Sequence, residues 1–340
     1  MKREELEKML PLLRPWLGRA GAGSLMLTCQ LRACLALEGL EESGCGLAPW
    51  IEESLESLVS AALERAGEIC DAGEAARLLY AAMDASFNSE RLGERYVEQC
   101  RELSERVIER FLDERRRYAG DEDTERSVFR LIVLNLYGVG GPDGEVHADW
   151  RSFLDSLLER WSAESMGSVL WPGLSGEQRL RRHTAMLEAA YMLGDSRYSG
   201  LLERSYGELV CGAELPSSGG GSLSGSLSVS FSCAESGGGT DFGYLSALYD
   251  AALDGTDGLM PDLALMDAVA GFCDEFVLGS LAPAQARDAA LAEVSGSDME
   301  GTGVPSFAPS AGQAQALAVS VPHCCWQLSR QADEEFDRSF

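Results

Sequence analysis

The sequence predicts a single all-α domain over residues 1–340, an (α/α)6 toroid in which enclosed inner helices alternate with amphipathic outer ones. Three observations predict it. Helix-length segments of two kinds alternate along the chain, one nearly uncharged and one apolar on a single face. The pairing recurs six times. Glycine-rich openings stand ahead of several of the uncharged segments, at Gly21–Gly23, Trp171–Gly176 and Gly237–Gly243.

The first pair is 24–37, whose only charge is Arg32, followed by 50–66, with Trp50, Ile51, Leu55, Leu58, Val59, Ala62 and Leu63 on one face and Glu52, Glu53, Glu56 and Glu64 on the other. The second is 74–86 with 89–117, whose stripe is Val97, Cys100, Leu103, Val107, Ile108 and Phe111. The third is 127–137, with Arg130 as its lone charge, and 147–161, carrying Phe153, Leu154, Leu157, Leu158 and Trp161. The fourth pair is 178–193 and 196–210, the fifth 241–253 and 260–279, and the sixth, shorter one 310–321 and 325–339. On this pattern Leu25, Leu27, Leu131, Val133 and Leu248 are expected to be enclosed, and Glu52, Glu56, Glu105 and Arg116 to face solvent.

Strands compete weakly. Residues 127–139 are β-branched and continuous enough to be a buried strand by periodicity alone, and 222–233 alternates serine with apolar residues at the strand period. The Gly/Ser-rich segment 216–240 is therefore expected to be a loop or short hairpin, and 295–312 a second loop.

Fifty-five acidic against 28 basic residues give a net charge of −27, which repels phosphate backbones and anionic membrane surfaces; no nucleic-acid and no membrane partner is expected. The first residues mix charge into an apolar pattern unlike a signal peptide, and no run approaches the ~20 apolar residues of a bilayer span. A soluble, cytoplasmic protein is expected. Several of the ten cysteines lie within apolar helical patterns and are read as buried thiols.

The glycine clusters are not phosphate loops, because no strand precedes them and no Gly-Lys-Ser/Thr follows. Together, Gly21-Ala-Gly-Ser-Leu-Met-Leu, Trp171-Pro-Gly-Leu-Ser-Gly176 and the stretch 236–255 resemble the inner-helix openings of lanthionine synthetase C-like proteins. The resemblance implies an (α/α)6 toroid and, in catalytic members, a zinc ion held by two cysteines and a histidine that activates a peptide thiol. Here the zinc pattern is unmatched: Cys233 precedes the fifth inner segment, but no Cys-His-Gly occurs, and His323-Cys324-Cys325 reverses the order. No metal and no cofactor are therefore assigned, and the cysteines beside Trp326 are read as packing. By the six-pair scheme the His-Cys-Cys run falls on the opposite rim from Cys233, too far to share an ion.

What the resemblance implies is binding or modification of a peptide or protein partner at the mouth of the central cavity, where Trp171, Gly176, Cys233 and Asp241 are expected to gather. Two other classes stay open. A glycan-processing toroid would need paired carboxylates, for which Asp84, Glu188 and Asp241 are candidates; a non-catalytic scaffold would fill its cavity with side chains. His183 and His147 are read as histidines satisfied by neighbours rather than as catalysts.

Overall fold

The computed structural model describes residues 2–21, 23–42, 46, 48–89, 91–138, 147–211, 213, 240–254, 261–294 and 309–337, and among these it holds helices and no strand. Twelve α-helices follow in order: α1 (Arg3–Leu17), α2 (Ser24–Glu42), α3 (Ile51–Glu68), α4 (Ala72–Asn88), α5 (Gly93–Asp113), α6 (Glu122–Gly138), α7 (Ala148–Glu164), α8 (Gly176–Leu193), α9 (Ser199–Ser205), α10 (Phe242–Asp254), α11 (Leu263–Val294) and α12 (Ala311–Asp337). The predicted hairpin region 216–240 with Cys233, and most of the predicted loop 295–312, lie outside the described residues.

Local chemistry starts and stops these helices. Asp71 caps α4 by accepting from the Glu74 backbone N–H at 2.8 Å. Ser175 and Gln178 form a reciprocal capping box on α8, which ends at Gly194 in the left-handed region. Residues 127–137, continuous enough to be read as a strand, are helical within α6; a helix enclosed almost all round needs no polar face, so period alone could not separate the two.

The even-numbered helices pack in sequence, α2 on α4, α4 on α6, α6 on α8, α8 on α10 and α10 on α12, and α12 returns to α2. Their first turns lie side by side. The Ser24 hydroxyl donates to Glu74, Gly73 abuts Thr124, Arg182 pairs with Glu122, Gly176 abuts Tyr244, and Gly312 abuts Phe242. Later turns also meet one another, as in Arg32 with Asp250 and Arg130 with Glu188, so these helices run parallel. The odd-numbered helices pack against them, α3 on α2 and α4, α5 on α4 and α6, α7 on α6, α9 on α8, and α11 on α10 and α12.

Two expectations are corrected. The sixth pair was predicted as two helices, but α12 continues through Pro322, placing His323, Cys324 and Cys325 in its middle. Among the described residues α2 is covered where it meets α12 not by the second helix of the sixth pair but by α1, which contacts α12, α2 and α3 with Leu6, Met9, Leu10, Leu13, Trp16 and Leu17 buried. Each such buried side chain contributes about 1.5–3 kcal/mol. The second correction is Leu25, which is 47% exposed although Leu27, Leu131, Val133 and Leu248 are enclosed as predicted. Among the described residues no helix is long and apolar enough to cross a membrane.

Candidate functional site: an ionic cluster shared by five helices

Leu25 is exposed because the even-numbered helices are not buried all round. On α2 a half-exposed stripe runs through Leu25, Thr28, Arg32 and Leu35 at helical spacing, while Leu27, Cys29, Leu31, Ala33 and Cys34 are buried. The same stripe runs through Arg77, Tyr80, Asp84 and Phe87 on α4, Asp123, Arg130 and Tyr137 on α6, Arg181, Glu188 and Tyr191 on α8, and Ser246, Asp250 and Leu253 on α10.

The mid-helix members of these stripes form one network. Arg130 grips Glu188 with two N–H donors, its Nε at 2.7 Å from Oε2 and an amino group on Oε1. The Tyr80 hydroxyl donates to the same Oε1 at 2.9 Å, and the Arg130 guanidinium lies 4.1 Å from the centre of the Tyr80 ring. Arg32 pairs with Asp250 at 2.5 Å and rests over the Tyr249 ring. Asp84 accepts from the Asn88 amide at 3.0 Å.

These groups lie deep in the molecule yet touch solvent, with side-chain exposures of 29% for Arg32, 28% for Asp250 and 27% for Arg130. Burial, reinforced by the negative charge of Glu188, pushes the Asp84 carboxyl up to about 6. Asp254, at the end of α10, is pushed up to about 7, again by burial first and then by Glu188 and Asp250. Among the described residues neither Asp84 nor Asp254 has an ion-pair partner, whereas Asp250 and Glu188 each have an arginine.

The predicted mouth residues separate. Gly176 and Asp241 do meet at the first turns of α8 and α10: a Cβ on Gly176 would lie 3.0 Å from the Tyr244 ring, and Asp241 caps α10 by accepting from the Tyr244 N–H at 3.1 Å. Trp171 is fully enclosed instead of standing beside them. Its backbone has φ 47°, its indole N–H donates to the Trp161 carbonyl at 2.8 Å, and Arg182 covers its ring at 5.4 Å. Cys233 lies outside the described residues.

The residues present do not fit the zinc site of the family resembled. Both ring nitrogens of His323 are engaged, Nδ1 by the Tyr249 hydroxyl at 3.3 Å and Nε2 by Asp267 at 3.0 Å and Gln327 at 2.9 Å. Burial pushes the Cys324 thiol up to about 11. No group of three or more histidine, cysteine or carboxylate side chains among the described residues is arranged to hold a metal. His183 is also a core residue, its Nδ1 2.7 Å from the Ser205 hydroxyl and its imidazole pushed down to about 4 by burial.

Asp84 and Glu188 were candidates from sequence; Arg32, Tyr80, Arg130, Asp250 and Asp254 were not. The signal was present in α2 and α6, each a nearly uncharged helix with one arginine in its middle. A lone charge in an enclosed helix marks the side that is not enclosed.

Compared with known proteins, the chain matches no family model, no curated protein and no solved structure.

Proposed function

We propose that the circuit of even-numbered helices is the inner ring of an (α/α)6 toroid, that the odd-numbered helices, α1 included, form its outer ring, and that the toroid binds a peptide in its central cavity. The parallel first turns, the return of α12 to α2 and the solvent-touching stripe on five inner helices support the architecture. The protein is then a lanthionine synthetase C-like toroid that lacks the zinc ligands.

The observation that carries the function is the ionic cluster. A scaffold gains nothing from guanidinium and carboxylate groups inside its ring, since desolvating them costs several kcal/mol per ion and apolar side chains of similar volume would fill the space at least as well. Charges of both signs and a phenol suit a peptide, which presents donors, acceptors and charged side chains along its length.

Fluorescence anisotropy with labelled random octapeptide pools tests this. Saturable binding by at least one pool, weakened in a folded Glu188→Gln variant, is expected; absence of saturable binding by every pool overturns it.

A glycan-processing function is favoured by one observation, the Asp84 carboxyl, protonatable near neutrality, beside the arginine-held Glu188. Peptide binding is preferred because both Glu188 oxygens already accept strong donors and so are poorly placed to activate water. Release of reducing ends from an oligosaccharide panel, abolished by Asp84→Asn, would reverse that preference.

A further inference from the structure

The two ends of the inner ring differ in chemistry. At the first-turn end, polar groups are already matched and backbones are in contact. Glu177 pairs with Arg181 at 2.8 Å while its carboxylate lies against Gly243, Ser24 donates to Glu74, and a Cβ on Gly73 would lie 2.5 Å from the Thr124 hydroxyl.

The last-turn end carries four exposed apolar groups, against Leu25 alone at the first turns of the even-numbered helices among the described residues. Tyr137 and Tyr191 are each 55% exposed, and Phe87 and Leu253 each 38%. A single exposed apolar side chain needs no explanation, but these four sit within the last two turns of four consecutive inner helices, α4, α6, α8 and α10, Tyr191 and Leu253 one turn past the charge pairs and Phe87 and Tyr137 two turns past them. Each continues the stripe of the ionic cluster: Phe87 stands three residues after Asp84, Tyr191 three after Glu188, Leu253 three after Asp250, and Tyr137 seven after Arg130. They form an apolar collar one or two turns from the charges.

The charges at and below the level of Tyr191 and Leu253 do not balance. Arg32 with Asp250 and Arg130 with Glu188 neutralise one another, which leaves Asp84 and Asp254 without a cation among the described residues. A ligand that brings one positive charge past an apolar collar matches both features, and a chain of net charge −27 draws cations toward it.

Building on the peptide-binding function, we propose that the peptide enters at the last-turn end, packs apolar residues against Phe87, Tyr137, Tyr191 and Leu253, and seats a lysine or arginine side chain on Asp84 and Asp254. Peptides with a basic residue flanked by apolar ones are then the ligand class.

The test uses two fluorescein-labelled octapeptide pools, identical except that the central residue is lysine in one and norleucine in the other, flanked by leucine and phenylalanine. The lysine pool is expected to bind at least about tenfold more tightly, and Asp84→Asn and Asp254→Asn each to remove most of that advantage. Tyr137→Ala and Tyr191→Ala, at exposed positions that leave the fold intact, are expected to weaken both pools several-fold. Equal binding of the two pools overturns the cationic specificity while leaving peptide binding in place. Loss on Asp241→Asn together with wild-type binding by the two tyrosine variants overturns the choice of entrance. If no pool binds, peptide binding itself fails, and phenethylamine decides the site separately. A thermal midpoint raised by phenethylamine but not by 2-phenylethanol, and not in Asp84→Asn, upholds a cation seat under an aromatic collar; no difference between the two compounds overturns it.

Discussion

Asp84 and Asp254 are the residues at which charge and fold are most directly coupled. Both bind a proton more tightly in the fold than in the unfolded chain, where a carboxyl titrates near 3.9. The stability they contribute is full below about pH 4 and is lost as pH rises through about 6 for Asp84 and about 7 for Asp254. Asp84→Asn is therefore expected to melt above wild type at pH 8, by about 1–2 kcal/mol after allowance for solvent contact, and level with it near pH 4. Melting curves from pH 4 to 8 check this; a constant offset would place the aspartate outside the coupled cluster. His183 acts in the opposite sense, since its imidazole is depressed to about 4 and its contribution is lost as pH falls from about 6.5. It is common to both proteins and cancels in their difference. Sequence made Asp84 and Glu188 visible as carboxylates on enclosed helices, but the arginine that holds Glu188 is 58 residues away on another helix. Pairing at that separation is decided by how the helices pack, not by any local pattern. Trp171 shows the reverse: expected at the cavity mouth beside a Gly-rich helix opening, its indole is instead folded inward onto Trp161.

Helix rhythm was legible because enclosed and half-exposed helices differ in composition over ten or more residues. Element ends were less so. The pattern predicts a helix ending at residue 321, yet α12 passes through Pro322, and the six-pair scheme assigns no helix to α1, whose buried stripe from Leu6 to Leu17 contains Pro11 and Pro15. Close approach of first turns gives an element-scale prediction. Gly73→Ala would put a Cβ 2.9 Å from the Thr124 backbone as well as against its hydroxyl, so α4 and α6 must separate, and about 1–3 kcal/mol of stability is expected to be lost. Gly271, inside α11 with open space around it, gives the contrasting case: Gly271→Ala is expected to gain about 0.5–1 kcal/mol from helix propensity. Denaturant midpoints that move in the same direction for both would show that the first turns are not in hard contact.

For the molecule as a whole, α1 is the piece that sequence pairing left unassigned and that matters most to closure, because it lies over the seam where α12 meets α2. Leu13→Ala is expected to cost about 2–5 kcal/mol and to lower a single cooperative unfolding transition. A separate early transition confined to α1 would show instead that the seam holds without it. The seam also sets the order of events during synthesis. Residues of α2 must wait for partners that leave the ribosome after nearly all of the remaining chain, a delay on the order of tens of seconds at ordinary elongation rates. Until then the α12-facing side of α2 is an exposed apolar helix face on a nascent chain. Premature ring closure between shorter sets of helices, or capture of another chain's α12, competes in that interval. A closed circuit that joins α2 to α12 thus makes completion of the fold depend on the arrival of α12.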